Sequence, residues 1–137
     1  MQRSESIERA ARDFYGGLDG GDVKALEGLI SADEGVLVIG TDPAEWWDSR
    51  AKIMRAFEAQ VAEMKDFTFR PGDIQGFEAA DTGWFADRGE IVTPDGTTIA
   101  IRLTGTAVRD GESWRFVQMH VSVGAANEDV VGQELTV

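Results

Sequence analysis

The chain has no cysteine, which excludes disulfides, thiolate nucleophiles, and zinc–thiolate or iron–sulfur sites. This absence fits a reducing compartment, and we expect a cytoplasmic protein. Histidine occurs once, at His120, which excludes a His-Glu-x-x-His zinc motif. The sequence also has no calcium-binding loop and no glycine-rich phosphate motif. We therefore predict no metal site and no cofactor.

Basic residues are scarce, with 13 Lys and Arg against 25 Asp and Glu, for a net charge of −12. Such a surface repels phosphate backbones and anionic lipids, so we expect neither nucleic acid nor a membrane as a partner. Long hydrophobic runs are missing too. The longest uncharged stretch, residues 116–127, is too short and too polar to span a bilayer. No apolar run follows Arg3, as it would in a signal peptide.

The length of 137 residues and the 42% hydrophobic content predict one domain, residues 1–137, with a single core. Apolar residues at spacings of three and four predict helices over 4–18, 22–29 and 49–65, the third being the longest. A β-branched run predicts a short buried strand over 36–39. The acidic tail, 124–137, is expected to be loose.

The second half of the chain is rich in β-forming residues and predicts strands over 67–77, 83–92, 97–108 and 114–123. Asp-Gly pairs at 95–96 and 110–111 predict hairpins, so the last three strands should form an antiparallel meander. A three-residue loop pairing Thr93 with Thr97 would place Arg88 opposite Arg102. Helices followed by such a sheet predict an α+β fold, in which a curved antiparallel sheet wraps around three N-terminal helices and leaves a cavity at its open end.

This element order, together with Gly-Thr-Asp-Pro-Ala-Glu-Trp-Trp (40–47) and Trp-Arg-Phe-Val-Gln-Met-His-Val-Ser (114–122), resembles the SnoaL-like branch of the nuclear-transport-factor-two-like superfamily. The last strand also resembles the calcium/calmodulin-dependent kinase association domain. The resemblance implies a cone-shaped half-barrel, dimeric through the outer face of its sheet, with a pocket between sheet and helices. Members include isomerases, dehydratases, cyclases and non-catalytic binding domains, so the fold alone assigns no reaction.

The direction in which the strand residues face is left open by the sequence. The hairpin register puts Trp84, Glu90, Arg102 and Thr104 on one partly polar face, but does not say which face is concave. A two-residue turn at 110–111 would place Met119 on the face of Arg102, and a three-residue loop would place His120 there.

The resemblance to the kinase association domain bears on the same question. It implies that the cavity is faced by Val117, Met119 and Val121, and the dimer partner by Trp114, Phe116 and His120. That domain carries a cavity arginine where this chain has Val121, so the resemblance does not imply an anion site at this position.

The adjacent tryptophans Trp46 and Trp47 are unusual in a connecting segment. On a helical turn they would point about 100 degrees apart, so that one fills the core while Trp47 lines a pocket mouth. The alternative is that both are packing residues. The neighbouring carboxylates, such as Glu45, have no spacing that demands a metal.

The leading hypothesis is a homodimeric domain that binds a small, mostly apolar molecule in the cone. Apolar walls, an arginine anchor and a tyrosine hydroxyl would hold such a ligand. The predicted ligand-binding residues are Tyr15, Trp47, Trp84, Arg102, Thr104, Met119 and Val121.

Two alternatives stay open. The first is an isomerase, cyclase or dehydratase in which His120, Asp87 or Glu90 transfers a proton next to a carbonyl, and Tyr15 or Arg102 stabilises the enolate oxygen. For these residues a structural role is the competing interpretation, His120 as a core or interface residue and Glu90 as an ion-pair partner of Arg102. The second alternative is an oligomerisation or partner-docking module whose own side chains fill the cavity.

Overall fold

A computed structural model describes residues 1–136 of the chain. Helices come first and long strands later, as the sequence predicts. In chain order the elements are β1 (Gln2–Arg3), α1 (Glu5–Asp19), α2 (Val23–Leu29), β2 (Leu37–Ile39), β3 (Trp46–Trp47), α3 (Arg50–Glu63), β4 (Thr68–Arg70), β5 (Gln75–Ala79), β6 (Thr82–Val92), β7 (Thr98–Asp110), β8 (Ser113–Ser122) and α4 (Asn127–Val131).

The three predicted helices begin at side-chain caps. Ser4, Asp22 and Ser49 each accept a hydrogen bond from the backbone N–H three residues on, at 3.0–3.2 Å. The expectation that the third helix is the longest is wrong, because α1 has 15 residues and α3 has 14. The glycines inside α1 do not end it, and Gly17 lets Leu26 of α2 pack directly on its backbone. No helix within residues 1–136 combines the length and apolarity needed to cross a bilayer.

The strands form one sheet in the order β1-β5-β6-β7-β8-β2-β3, with β4 added alongside β6. All pairs are antiparallel except β2 and β8. The meander β6-β7-β8 is confirmed, as is its first hairpin, in which Thr93 pairs with Thr97 and Gly96 has a φ of 88°. The predicted α+β architecture, a curved open sheet against N-terminal helices, is therefore confirmed.

The strand predicted over 67–77 is instead two strands, β4 and β5. Both pair with β6, β4 along its end at 90–92 and β5 along its beginning at 82–86. Between them lies a loop that starts with Pro71 and Gly72. Proline has no N–H to donate to a sheet ladder and glycine weakens a strand, so the chain leaves the sheet at this point and rejoins it.

Burial settles which face of the sheet is inside. The inner face carries Phe85 and Asp87 on β6 and Ile101, Leu103 and Ala107 on β7, all at most 5% exposed. The opposite face, here called the outer face, consists of half-buried or exposed side chains. Its members on β6 and β7 are Trp84, Ala86, Arg88, Glu90, Ala100, Arg102, Thr104 and Thr106.

A β-bulge reverses the facing of the last strand. The turn at Gly111 has two residues, pairing Asp110 with Ser113, but the register shifts at Thr106/Ala107 and leaves Val117 unpaired. Phe116 before the bulge and Met119 after it are therefore both buried, at 1% exposure. Trp114 and Phe116 thus belong to the core, so the expectation that they face a partner is wrong, and Val117 is the bulge residue rather than a cavity residue. Met119 faces inward and His120 outward, as the resemblance implies.

The tail beyond Gly124 contains the short helix α4, and every residue of that helix is exposed.

The register shift at the bulge predicts how substitutions on either side of it change the free energy of unfolding. Phe116→Ala removes a buried ring that packs edge-on against Phe85, at 5.4 Å between centroids, and should lower the free energy of unfolding by about 3–5 kcal/mol. Gln118→Ala, two residues on but on the outer face, should lower it far less, because it removes no ring from the core. Urea unfolding monitored by tryptophan fluorescence measures both values. Equal losses for the two variants would contradict the register.

Candidate functional site

A cavity of about 150 Å³ lies between the inner face of the sheet and the helices. Its walls are mostly aromatic and aliphatic side chains from α1, α3, β2, β3, β4 and the meander. They include Phe14, Leu18, Val38, Phe57, Met64, Phe69, Ile91, Ile101 and Leu103.

Four of the seven predicted ligand-binding residues line this cavity, namely Tyr15, Trp47, Met119 and Val121. The other three, Trp84, Arg102 and Thr104, lie on the outer face, so their placement in the cone is corrected. The sequence did not show which face of the β6–β7 hairpin points inward. In the structure the apolar face packs against the helices, and the partly polar face, which carries these three residues, points outward.

The two adjacent tryptophans form a strand rather than a helical turn. Trp46 and Trp47 pair with Ile39 and Val38 of β2. Neighbouring residues of a strand point to opposite faces, so Trp47 lines the cavity while Trp46 is 58% exposed. The expectation for Trp47 agrees with the structure, but Trp46 does not fill the core.

The polar part of the cavity is its rim. It consists of Gly40, Thr41 and Glu45 from the β2–β3 hairpin, and Gln60 from α3. Thr41 is exposed, and Glu45 and Gln60 are half-buried, so this end opens to solvent. Sequence reasoning missed these residues as cavity residues. The signal that could have found them is the glycine and turn residues that hold the hairpin directly before the tryptophan pair.

Tyr15 and Asp87, which the sequence suggested separately, form a buried hydrogen-bonded pair. The Tyr15 hydroxyl donates to Asp87 Oδ2 at 2.7 Å, and the backbone N–H of Gly72 donates to the same oxygen at 3.0 Å. Tyr15 is 2% and Asp87 5% exposed. Burial, and then the hydrogen bond and charge of Asp87, raise the pKa of Tyr15 well above its ordinary range. The remaining oxygen, Asp87 Oδ1, is buried and has no hydrogen-bond partner within residues 1–136.

This pair limits what Tyr15 can do in the cavity. Its ring forms part of the wall, but its hydroxyl hydrogen is already used by Asp87. Asp87 itself is not among the cavity-lining residues in the described part of the chain. From the sequence, Tyr15 is expected to donate to the substrate and Asp87 to act on it as a base. Each role would require breaking the hydrogen bond that joins the two side chains.

The other two proposed catalytic residues, His120 and Glu90, lie on the opposite face of the sheet from this pair. His120 is exposed on the outer face opposite Thr104, and Glu90 is on the same face. Glu90 makes a 3.9 Å ion pair with Arg70 and not the expected one with Arg102, whose Nε donates to Ser122 Oγ at 3.2 Å. No three Asp, Glu or His side chains of residues 1–136 converge as a metal site would require.

The SnoaL-like domain family matches residues 7–126. The chain belongs to this family. Among curated proteins, no sequence matches it.

Solved structures share the fold of this SnoaL-like domain. A protein from Streptomyces avermitilis, provisionally assigned as a dehydratase of the NTF2-like family, is 20% identical with a TM-score of 0.79, covering 89% of this chain and 96% of its own. A provisionally assigned calcium/calmodulin-dependent protein kinase type II association domain from Thiobacillus denitrificans is 19% identical with a TM-score of 0.78, covering 91% and 100%. A provisionally assigned ketosteroid isomerase from Shewanella frigidimarina is 14% identical with a TM-score of 0.73, covering 87% and 96%. At these identities the likeness establishes the fold alone.

The buried Tyr15–Asp87 pair predicts that the free energy of unfolding depends on pH in the alkaline range, and the absorbance of Tyr15 can monitor this dependence. In the unfolded chain Tyr15 ionises around its ordinary pKa of 10.0, whereas the native state keeps its proton. The unfolded state therefore releases a proton first, and the free energy of unfolding should fall as the pH rises above about 10. Since Tyr15 is the only tyrosine, the ultraviolet absorbance of tyrosinate should appear only together with unfolding.

The matched variant is Tyr15→Phe. It removes a buried donor from Asp87 and should lower the free energy of unfolding at neutral pH by about 1–3 kcal/mol. In this variant the free energy of unfolding should also no longer show the decrease above about pH 10 that the ionisation of Tyr15 causes in the wild-type protein. Tyrosinate absorbance that titrates around pH 10 in the folded wild-type protein would contradict the buried pair.

Proposed function

We propose that this SnoaL-like domain binds a small, mostly apolar molecule in the cavity. The observation that supports the proposal is the preformed cavity itself, about 150 Å³ with aromatic and aliphatic walls. Apolar cavities of about this volume take up a molecule of the size of benzene. The ligand is therefore of single-ring size, with its apolar part between the helices and the sheet.

The polar rim supports the same proposal and sets the orientation of the ligand. Thr41, Glu45 and Gln60 lie at the end where the cavity opens, while the walls contributed by Ile101, Leu103 and Met119 are apolar. Small-molecule sites typically combine such apolar walls with a few polar groups that fix orientation. A polar substituent on the ligand would therefore face the rim.

A proton-transfer enzyme receives less support from the same geometry. General acid–base catalysis needs a titratable group within hydrogen-bond reach of the substrate. The Tyr15 hydroxyl donates to Asp87, and His120 and Glu90 lie on the outer face. The names of the dehydratase and isomerase structures describe those proteins alone.

Filling the cavity tests the proposal. Val121→Phe places a ring inside the cavity and should lower the affinity for toluene at least tenfold, because the space for the ligand is lost. Val123→Phe is the matched control, since Val123 follows β8 and is 50% exposed. Chemical-shift titration by NMR measures both affinities, and circular dichroism checks that both variants fold. Undiminished binding by Val121→Phe, or no binding by the wild-type protein, would contradict the proposal.

The proposed functional unit is a cytoplasmic homodimer assembled through the outer face. The lack of cysteine supports the location. On the outer face, Trp84 stacks on Phe77 at 6.4 Å between centroids, and both rings are half-buried in the single chain. Arg88 lies opposite Arg102, a like-charge pair that an acidic partner would relieve. A second copy of this chain would bring the same face, which offers aromatic surface and the carboxylate of Glu90 as the two complements.

Light scattering tests the dimer. At micromolar concentration the molar mass measured for the wild-type protein should be twice the 14.9 kDa mass of the chain. Thr104→Arg adds a third positive charge to the outer face, where a two-fold interface would bring it near the arginines of the second copy, and should yield the monomer. Ala62→Arg, an exposed position on α3, should leave the dimer intact. A wild-type monomer would contradict this part of the proposal.

A further inference from the structure

We propose that the ligand of the cavity is a small amine whose protonated nitrogen binds the carboxylate of Glu45. This inference rests on the proposed function and names the chemical class of its ligand. It concerns arylalkyl or cycloalkyl amines of single-ring size, because a 150 Å³ cavity holds one ring.

The charge of the cavity supports a cation. Among the lining residues that the structure describes, Glu45 alone is charged. None of the ion pairs within residues 1–136 involves it. A half-buried carboxylate without a cationic partner favours a ligand that supplies one, and it repels an anionic ligand.

The β2–β3 hairpin holds this carboxylate at the rim. Gly40 N donates to the Glu45 carbonyl and Glu45 N donates to the Asp42 carbonyl, both at 2.9 Å. The carboxylate lies against the backbone of Gly40, where any side chain on residue 40 would overlap Glu45 Oε2. Its hydrogen bond from Asp42 N is long, 3.5 Å, so its capacity to accept from a ligand is largely unused.

The aromatic walls suit the hydrocarbon part of an ammonium ligand. Phe14, Tyr15, Trp47, Phe57 and Phe69 all line the cavity. The faces of aromatic rings carry partial negative charge and attract ammonium groups, most strongly when water is excluded. An amine at the rim would therefore meet a carboxylate, with aromatic surface around its apolar part, whereas a carboxylic acid of the same size would meet repulsion.

Isothermal titration calorimetry with benzylamine and benzyl alcohol tests the inference, because these probes share a ring and differ in charge. We expect wild-type protein to bind benzylamine more tightly than benzyl alcohol. In Glu45→Gln the ratio of the two affinities should fall about tenfold, since the loss of a charge-assisted hydrogen bond affects the amine most. Glu58→Gln makes the same change of net charge at an exposed position of α3 and should leave the ratio unchanged.

The outcomes separate this inference from the proposed function. If wild-type protein binds benzyl alcohol at least as tightly as benzylamine, or if Glu45→Gln leaves the ratio unchanged, the amine inference is overturned while the binding function stands. An equal fall in Glu58→Gln would also overturn it, because the effect would then come from net charge. If neither probe binds, this inference fails, and the toluene titration decides separately whether the binding function stands.

Discussion

The unpaired residue in β8 decides how this small protein buries its core and shapes its cavity. A strand shows alternate residues to each face, so Phe116 and Met119, three apart, cannot both face inward in an uninterrupted ladder. The bulge at Val117 resolves this conflict by adding one residue between them. Phe116 then packs against Phe85 in the core, while Met119 reaches the cavity. The same shift turns His120, the only histidine, toward the outer face.

The second constraint is the attachment of α1 to the sheet through two buried carboxylates. Glu8 accepts from Gly76 N at 2.9 Å and from Arg3 Nε at 2.6 Å, and the Gly76 hydrogen bond is the main cause that lowers its pKa. At the other end of the helix, Tyr15 donates to Asp87. Buried polar groups are stabilising only when they are hydrogen-bonded, so these contacts restrict where the helix can lie.

Glycines make that close attachment possible. A side chain on Gly76 would overlap Glu8, and one on Gly89 would overlap the Tyr15 hydroxyl. The helix can therefore approach the sheet closely along both contacts. The cavity lies beside this attached region, and Phe14 and Leu18 of α1 form part of its wall. The space available to a ligand is thus bounded by helices and strands, and its polar rim comes from the β2–β3 hairpin and α3.

Local patterns in the sequence determined the parts of the fold that depend on neighbouring residues. The caps at Ser4, Asp22 and Ser49, the helical spacing and the Asp95-Gly96 turn predict elements that the structure contains, because these interactions reach only a few residues along the chain. The register of β6 against β7 followed from that turn for the same reason.

Only the tertiary structure decided which face the helices cover, where the last strand shifts its register and which polar residues meet. Each of these depends on contacts between distant segments, such as the pairing of Thr106 with Gln118 or of Tyr15 with Asp87. Trp84 and Arg102 therefore fall outside the cavity although their strands were predicted correctly, and Glu45 falls on its rim although nothing in its spacing indicated a site. A shift of one residue in a strand reverses every side chain beyond it, which is why the elements follow from the sequence and the composition of the site does not.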